Sequence, residues 1–94
     1  MEVRFYIDPV TDALHIHNHG VSEQDVLDVL EFPGEDRPGR DGTRVALGQT
    51  SSGRCLRVIY VTDQERDGIF VITAYQLTGK PLAAWRKRRK RKHQ

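Results

Sequence analysis

Cysteine is nearly absent from this chain. Cys55 is the only one in 94 residues, so no internal disulfide can form and no multi-cysteine zinc or iron–sulfur site can be assembled. It stands among apolar strand residues and reads first as a small core side chain, ahead of a reactive thiol. Long hydrophobic runs are missing too. No stretch approaches the roughly 18 apolar residues of a membrane span, and residues 1–10 lack the basic-then-apolar order of a secretory signal. The expectation is a soluble, cytoplasmic protein with no membrane partner. Gly34, Gly39 and Gly42 have no following Lys-Ser/Thr pair, which removes a phosphate-binding P-loop. Ser51 and Ser52 lack neighbouring His and Asp partners, so they read as turn residues and not as nucleophiles.

Charge is plentiful and unevenly placed. The net +2 conceals seven consecutive basic residues from Arg86 to Lys92, while the rest of the chain holds eight basic and thirteen acidic groups. A body of −5 therefore carries a tail of +7. Such a polycation suits phosphate backbones, anionic lipid or an acidic protein, and it also fits a solvated, frayed terminus. With 37% hydrophobic residues the chain has enough apolar material for one small core. Residues 1–85 are read as a single domain and 86–94 as a basic tail continuing the last helix, with the core ending at Trp85.

The pattern of apolar positions gives the order β-α-α-β-β-β-α. Val3, Phe5 and Ile7 alternate as a strand that stops at Asp8-Pro9. Residues 10–18 can make two helical turns, stopped at His19-Gly20. A second helix starts at Ser22, with Asp25 at its third position, Val21 stapled to Val26, and Val26, Leu27, Val29 and Leu30 as its apolar stripe. Pro33-Gly34 ends it, and residues 34–42 read as a flexible charged loop. Strands over 43–49, 54–62 and 69–77 form a meander, and a helix enters at Pro81. The fold class is α+β, with helices packed on one face of a small antiparallel sheet.

Strand alternation assigns faces. Pairing the first two meander strands symmetrically about Ser51-Ser52 groups Arg44, Ala46 and Gly48 with Cys55, Arg57 and Ile59. Val45, Leu47, Leu56, Val58 and Tyr60 then make the core face, joined by Phe70, Ile72 and Ala74. Val71, Thr73 and Tyr75 fall beside Arg44 and Arg57, so two guanidiniums and a phenol converge. An arginine in the middle of an apolar strand needs a partner. That partner is either a loop carboxylate such as Asp36 or a ligand. His15, His17 and His19 form H-x-H-x-H, but the spacing of a metal site is lacking, and no metal or other cofactor is expected. His19, before Gly20, serves either structure or proton transfer.

The ordered set of "HGVS" (His19 to Ser22), "ALGQTSSGR" (Ala46 to Arg54) and "VITAYQLTGKPLAAWRKR" (Val71 to Arg88) resembles the BrnT-type branch of the RelE/ParE toxin superfamily. The likeness runs from about Val3 to Arg88. It implies a RelE-like fold, and a toxin of a toxin–antitoxin system neutralised by a cognate antitoxin. Many members are mRNA endoribonucleases that inhibit translation, and some poison gyrase. Two positions depart from the pattern: Tyr75 stands where an arginine usually ends the last strand, and Trp85 where the final helix often carries a tyrosine. The expected catalytic set is Arg57, Arg44, Tyr75 and His19, with the arginines on phosphate oxygens and His19 or Tyr75 moving protons. Lys80, Arg86, Lys87, Arg88, Arg89, Lys90, Arg91 and Lys92 are the expected contacts to RNA or the ribosome. The alternative is a catalytically silent RNA-binding or protein-interaction module of the same fold.

Overall fold

The computed structural model describes residues 2–92, apart from the side chains of Arg91 and Lys92. Strand β1 (Glu2–Phe5) leads into a tight hairpin of β2 (Ile7–Asp8) and β3 (Ala13–Leu14), then a 3-10 helix (His15–His19) and helix α1 (Glu23–Glu31). Four strands follow, β4 (Glu35–Pro38), β5 (Arg44–Gln49), β6 (Cys55–Asp63) and β7 (Gly68–Gln76), and helix α2 (Gly79–Lys92) closes the described chain. The main sheet has the order β1-β7-β6-β5-β4. It is mixed, since β1 runs parallel to β7 and the other pairs are antiparallel. Neither described helix is long and apolar enough to cross a membrane.

Helix α1 forms as its sequence dictates. Ser22 Oγ accepts the Asp25 amide at 3.1 Å, and the Asp25 carboxylate accepts the Ser22 amide at 3.1 Å, a reciprocal capping box. Val21 and Val26 are both buried, and Val29 completes the inward stripe. Residues 10–18 do not form the expected helix. Asp8 captures the Val10 amide through its side chain and the Asp12 amide through its carbonyl, and Asp12 adopts a left-handed φ of 57°. The chain reverses there, and a single 3-10 stretch then carries Ile16 into the core. Gly20, at φ 68°, ends that stretch where the sequence places a stop.

Residues 35–38, expected within a loop, are an edge strand. Charged side chains and Pro38 suit an edge, where one row of backbone groups has no neighbour strand. The decisive difference lies at the turn between β5 and β6. Thr50 N–H donates to the Arg54 carbonyl at 2.8 Å and Gly53 N–H to the Thr50 carbonyl at 2.9 Å, so five residues from Thr50 to Arg54 make the reversal. The register is Ala46 opposite Val58 and Leu47 opposite Arg57, one step from the expected pairing. One step swaps every face. Ala46 and Gly48 therefore share a face with Leu56, Val58 and Tyr60, while Val45 and Leu47 share the other with Cys55, Arg57 and Ile59. A further slip at Ile59/Tyr60 passes over Ile72, so Val71 and Ile69 join Ala74 in the core in place of Phe70 and Ile72.

The two faces carry separate cores. Ile16, Val21, Val26 and Val29 pack on Ala46, Leu56, Val58 and Val71 on one side. On the other, Trp85 of α2 packs with Leu47, Cys55 and Leu77. The helices thus cover opposite faces, not one. Trp85 is 3% exposed and lies against Gly34, where a Cβ atom would overlap its indole. Gly34→Ala is accordingly expected to lift α2 and to destabilise the fold by about 1–3 kcal/mol, the usual range for overpacking. Trp85 is the sole tryptophan, so denaturant titration followed by its fluorescence reads both effects, and a wild-type midpoint and spectrum would contradict this packing.

Candidate nucleic-acid interface

The registers of four strands line up Glu35, Leu47, Arg57 and Tyr75 in one row across the face that α2 covers. Arg57 is half-buried in the middle of β6. Its Nη1 donates to the Tyr75 hydroxyl at 3.3 Å, and its Nε is buried without a hydrogen-bond partner among the described residues. No described carboxylate pairs with it. Glu35, the acid in its row, lies two strands away, about 10 Å by strand spacing, and receives Arg88 Nε at 2.6 Å and Arg37 at 3.6 Å. The 3-10 helix packs along β7 and brings the His19 ring to 6.1 Å from the Tyr75 ring. His15 follows at 5.2 Å from His19, with its Nδ1 3.4 Å from the Asp8 carboxylate. His17 is exposed and stands apart, and the described residues contain no cluster suited to a metal ion.

Arg44 does not join this group. It projects from the opposite face, where its Nε meets Asp36 Oδ1 at 2.9 Å and its Nη2 the Asp36 carbonyl at 3.2 Å. The buried Tyr60 hydroxyl donates to the other Asp36 oxygen. Asp36, the carboxylate expected to answer Arg57, is consumed by Arg44 instead. The physical cause is the five-residue turn, which puts the two arginines on opposite sides of one sheet. The structure brings Arg57, Tyr75 and His19 together and makes Arg44 part of a structural triad.

Helix α2 supplies the rest of the positive charge. Its basic run remains helical to Lys92; Arg88 ties that run to Glu35 of β4, and within the helix the Arg89 guanidinium lies 5.3 Å from the Trp85 ring centre, four residues back. The described part of the basic tail, to Lys92, thus continues the last helix, and residues 93 and 94 lie outside the described residues. Lys80, Arg86, Lys87 and Lys90 are exposed and have no acidic partner among the described residues. The side chains of Arg91 and Lys92 lie outside the described part. Beside α2 opens a cavity of about 340 Å³ lined by Phe32, Gln49, Cys55, Trp85, Arg86 and Arg89, together with Gly34 and Gly48. None of these was singled out as a site beyond the two arginines. The available signal was Phe32, an aromatic falling outside the Val26 to Leu30 stripe and 78% exposed.

Residues 14–76 match the model of a domain family of unknown function, DUF4258, and the chain belongs to that family. The matched segment contains His19, Arg57 and Tyr75 and ends before α2. No curated protein and no solved structure matches the chain.

Two predictions separate the arginines. Arg44→Met is expected to lower the melting temperature, because it strands Asp36, whereas Arg57→Met is expected to leave it unchanged or raise it by removing an unsatisfied buried Nε. Equal losses in both variants would mean that Arg57 is a structural residue. Burial, with the hydrogen bond to Asp36 next, raises the Tyr60 pKa above its usual 10.0. The fold favours the protonated phenol, so this contribution is complete below about pH 10 and is lost as pH rises through the higher folded value. Tyr60→Phe is expected to cost about 1 kcal/mol at neutral pH and to flatten the alkaline limb of the stability profile, measured by urea titration from pH 7 to 11.

Proposed function

We propose that this chain is a toxin-type RNA-binding protein of RelE-like fold. In this reading RNA lies on the α2 face, and the Arg57, Tyr75 and His19 group acts on its backbone. The observation that carries the reading is Arg57, a half-buried guanidinium with no carboxylate among the described residues, on the same sheet face as a helix bearing the basic run. A cation left in that state is stabilised by an anion from outside the chain, and a phosphodiester fits a guanidinium fork. Helix α2 adds a field of several positive charges that holds a nucleic-acid backbone without reading its sequence.

Cleavage of RNA by its own 2′-hydroxyl needs three tasks: a proton removed from that hydroxyl, charge stabilised on the phosphoryl oxygens, and a proton delivered to the leaving 5′-oxygen. Arg57 takes the second. Tyr75 and His19, on opposite sides of one ring contact, take the proton transfers. The resemblance to BrnT-type chains adds an antitoxin as the partner that covers this basic face in the cytoplasm, and translation inhibition as the cellular effect. A second reading has its own support: Arg44 is absent from the site, which leaves one guanidinium where two were expected, and this favours a silent RNA-binding module.

Expression of the chain alone in bacteria is expected to arrest growth, and Arg57→Ala to abolish the arrest while its melting temperature stays at the wild-type value. Labelled mRNA, with and without ribosomes, tells cleavage from binding. Cut products that disappear with Arg57→Ala support the nuclease, and bound but intact RNA supports the silent module. Contacts from Arg57, Arg86, Lys87 and Lys90 would give log affinity a slope of about −2.8 against log salt, at about 0.7 per phosphate on a single strand. A slope near zero would remove nucleic acid as the ligand.

A further inference from the structure

Two cavities lined by arginine open on the molecule, and their linings differ in kind. The larger, about 620 Å³, contains Arg4, Asp63 and Glu65. Its one guanidinium is already bonded to Asp63 at 2.6 Å and to Glu2 at 3.3 Å. The cavity beside α2 is lined by no carboxylate. Arg86 there has no acidic partner among the described residues. The Arg89 guanidinium lies 5.3 Å from the Trp85 ring centre, a cation–π contact that holds it beside the cavity.

The opposite wall is Phe32. At 78% exposure its ring is held out in solvent. Its backbone is fixed nonetheless: the Phe32 amide donates to the Asp28 carbonyl at 3.3 Å, and the Gly34 amide two residues on donates to the Leu47 carbonyl at 2.9 Å. The ring therefore stands on a hydrogen-bonded backbone. Gln49 brings an exposed amide whose nitrogen donates to the Gly53 carbonyl, leaving its oxygen as an acceptor. An exposed aromatic plane on an anchored backbone, an amide and two guanidiniums around one slot are the groups that recognise an unpaired base and its phosphate.

We propose that the cleft between Phe32 and α2 holds one unpaired base of a single-stranded RNA, stacked on Phe32, with the adjoining phosphate on Arg86 and Arg89. The inference rests on the RNA-binding reading and names its substrate as single-stranded. An acidic peptide would engage the two arginines but leave the aromatic wall and the amide unused. A duplex keeps its bases stacked inside and cannot offer one to the slot.

The full chain, titrated into a labelled single-stranded RNA octamer, provides the test by fluorescence anisotropy. Phe32→Ala is expected to weaken binding about ten-fold, within the range measured for losing one base–aromatic stack, while Phe32→Tyr binds as the wild type does. Because Phe32 is so exposed, neither variant is expected to move the melting temperature. The octamer is also expected to quench Trp85, and inorganic polyphosphate, which has no bases, to bind Phe32→Ala and wild type equally. Wild-type affinity in Phe32→Ala would overturn the slot while leaving RNA binding standing. Absence of any octamer binding by the wild type would overturn both. An equal loss towards polyphosphate or towards poly-glutamate would assign Phe32 to a different ligand and overturn the base slot.

Discussion

The five residues from Thr50 to Arg54 govern the molecule, because the hydrogen bonds that close this turn decide which side chains of β5 and β6 look the same way. A four-residue turn would have placed Arg44 and Arg57 side by side. The longer turn separates them across the sheet and leaves the face of Ala46, Leu56 and Val58 to α1. It also sets Leu47 and Cys55 on the other face, where nothing but a second layer can remove them from water. That second layer is α2, and its basic residues arrive there because Trp85 must.

Edge strand β4 then settles the electrostatics. Its alternation points Glu35 and Asp36 to opposite faces, and each is taken by a different arginine: Asp36 by Arg44 and Glu35 by Arg88. Either carboxylate alone, turned the other way, would change what Arg57 meets. As built, the strand anchors the two faces separately and leaves the central guanidinium with a phenol as its hydrogen-bond partner. A phenol satisfies a donor without neutralising its charge. The positive potential at Arg57 therefore survives within the fold, next to a helix whose own charges point the same way.

Much of this was legible in the sequence. The cap of α1 was readable because Ser22 and Asp25 act on neighbouring amides, and the three long strands because their periodicity is local. The placement of Arg57 beside Tyr75 followed from alternation, whereas His19 was legible only as a residue before the stop at Gly20. Three things were hidden, each for a physical reason. Turn length changes register by whole residues, and Thr50-Ser51-Ser52-Gly53 permits either count. Strand β4 is an edge whose side chains are held by salt bridges, so it shows no apolar alternation. Residues 10–18 keep a helical composition, but Asp8 ties the backbone at Val10 and Asp12 into a reversal that composition does not reveal.

The limits of the family match bear on how these parts fit. The matched segment, 14–76, includes Leu47 and Cys55 but not Leu77, Leu82 or Trp85, which complete the core around them. Within this chain the matched segment is therefore not a closed structure, since one face of its sheet would present Leu47 and Cys55 to solvent. Helix α2 closes that face, and Gly34, inside the segment, is the notch that admits its tryptophan. The same docking fixes Arg88 on Glu35. The apolar contact that completes the fold is thus also what brings the basic helix onto the face of Arg57, so a change that undocks Trp85 removes both the closed core and the basic residues beside it.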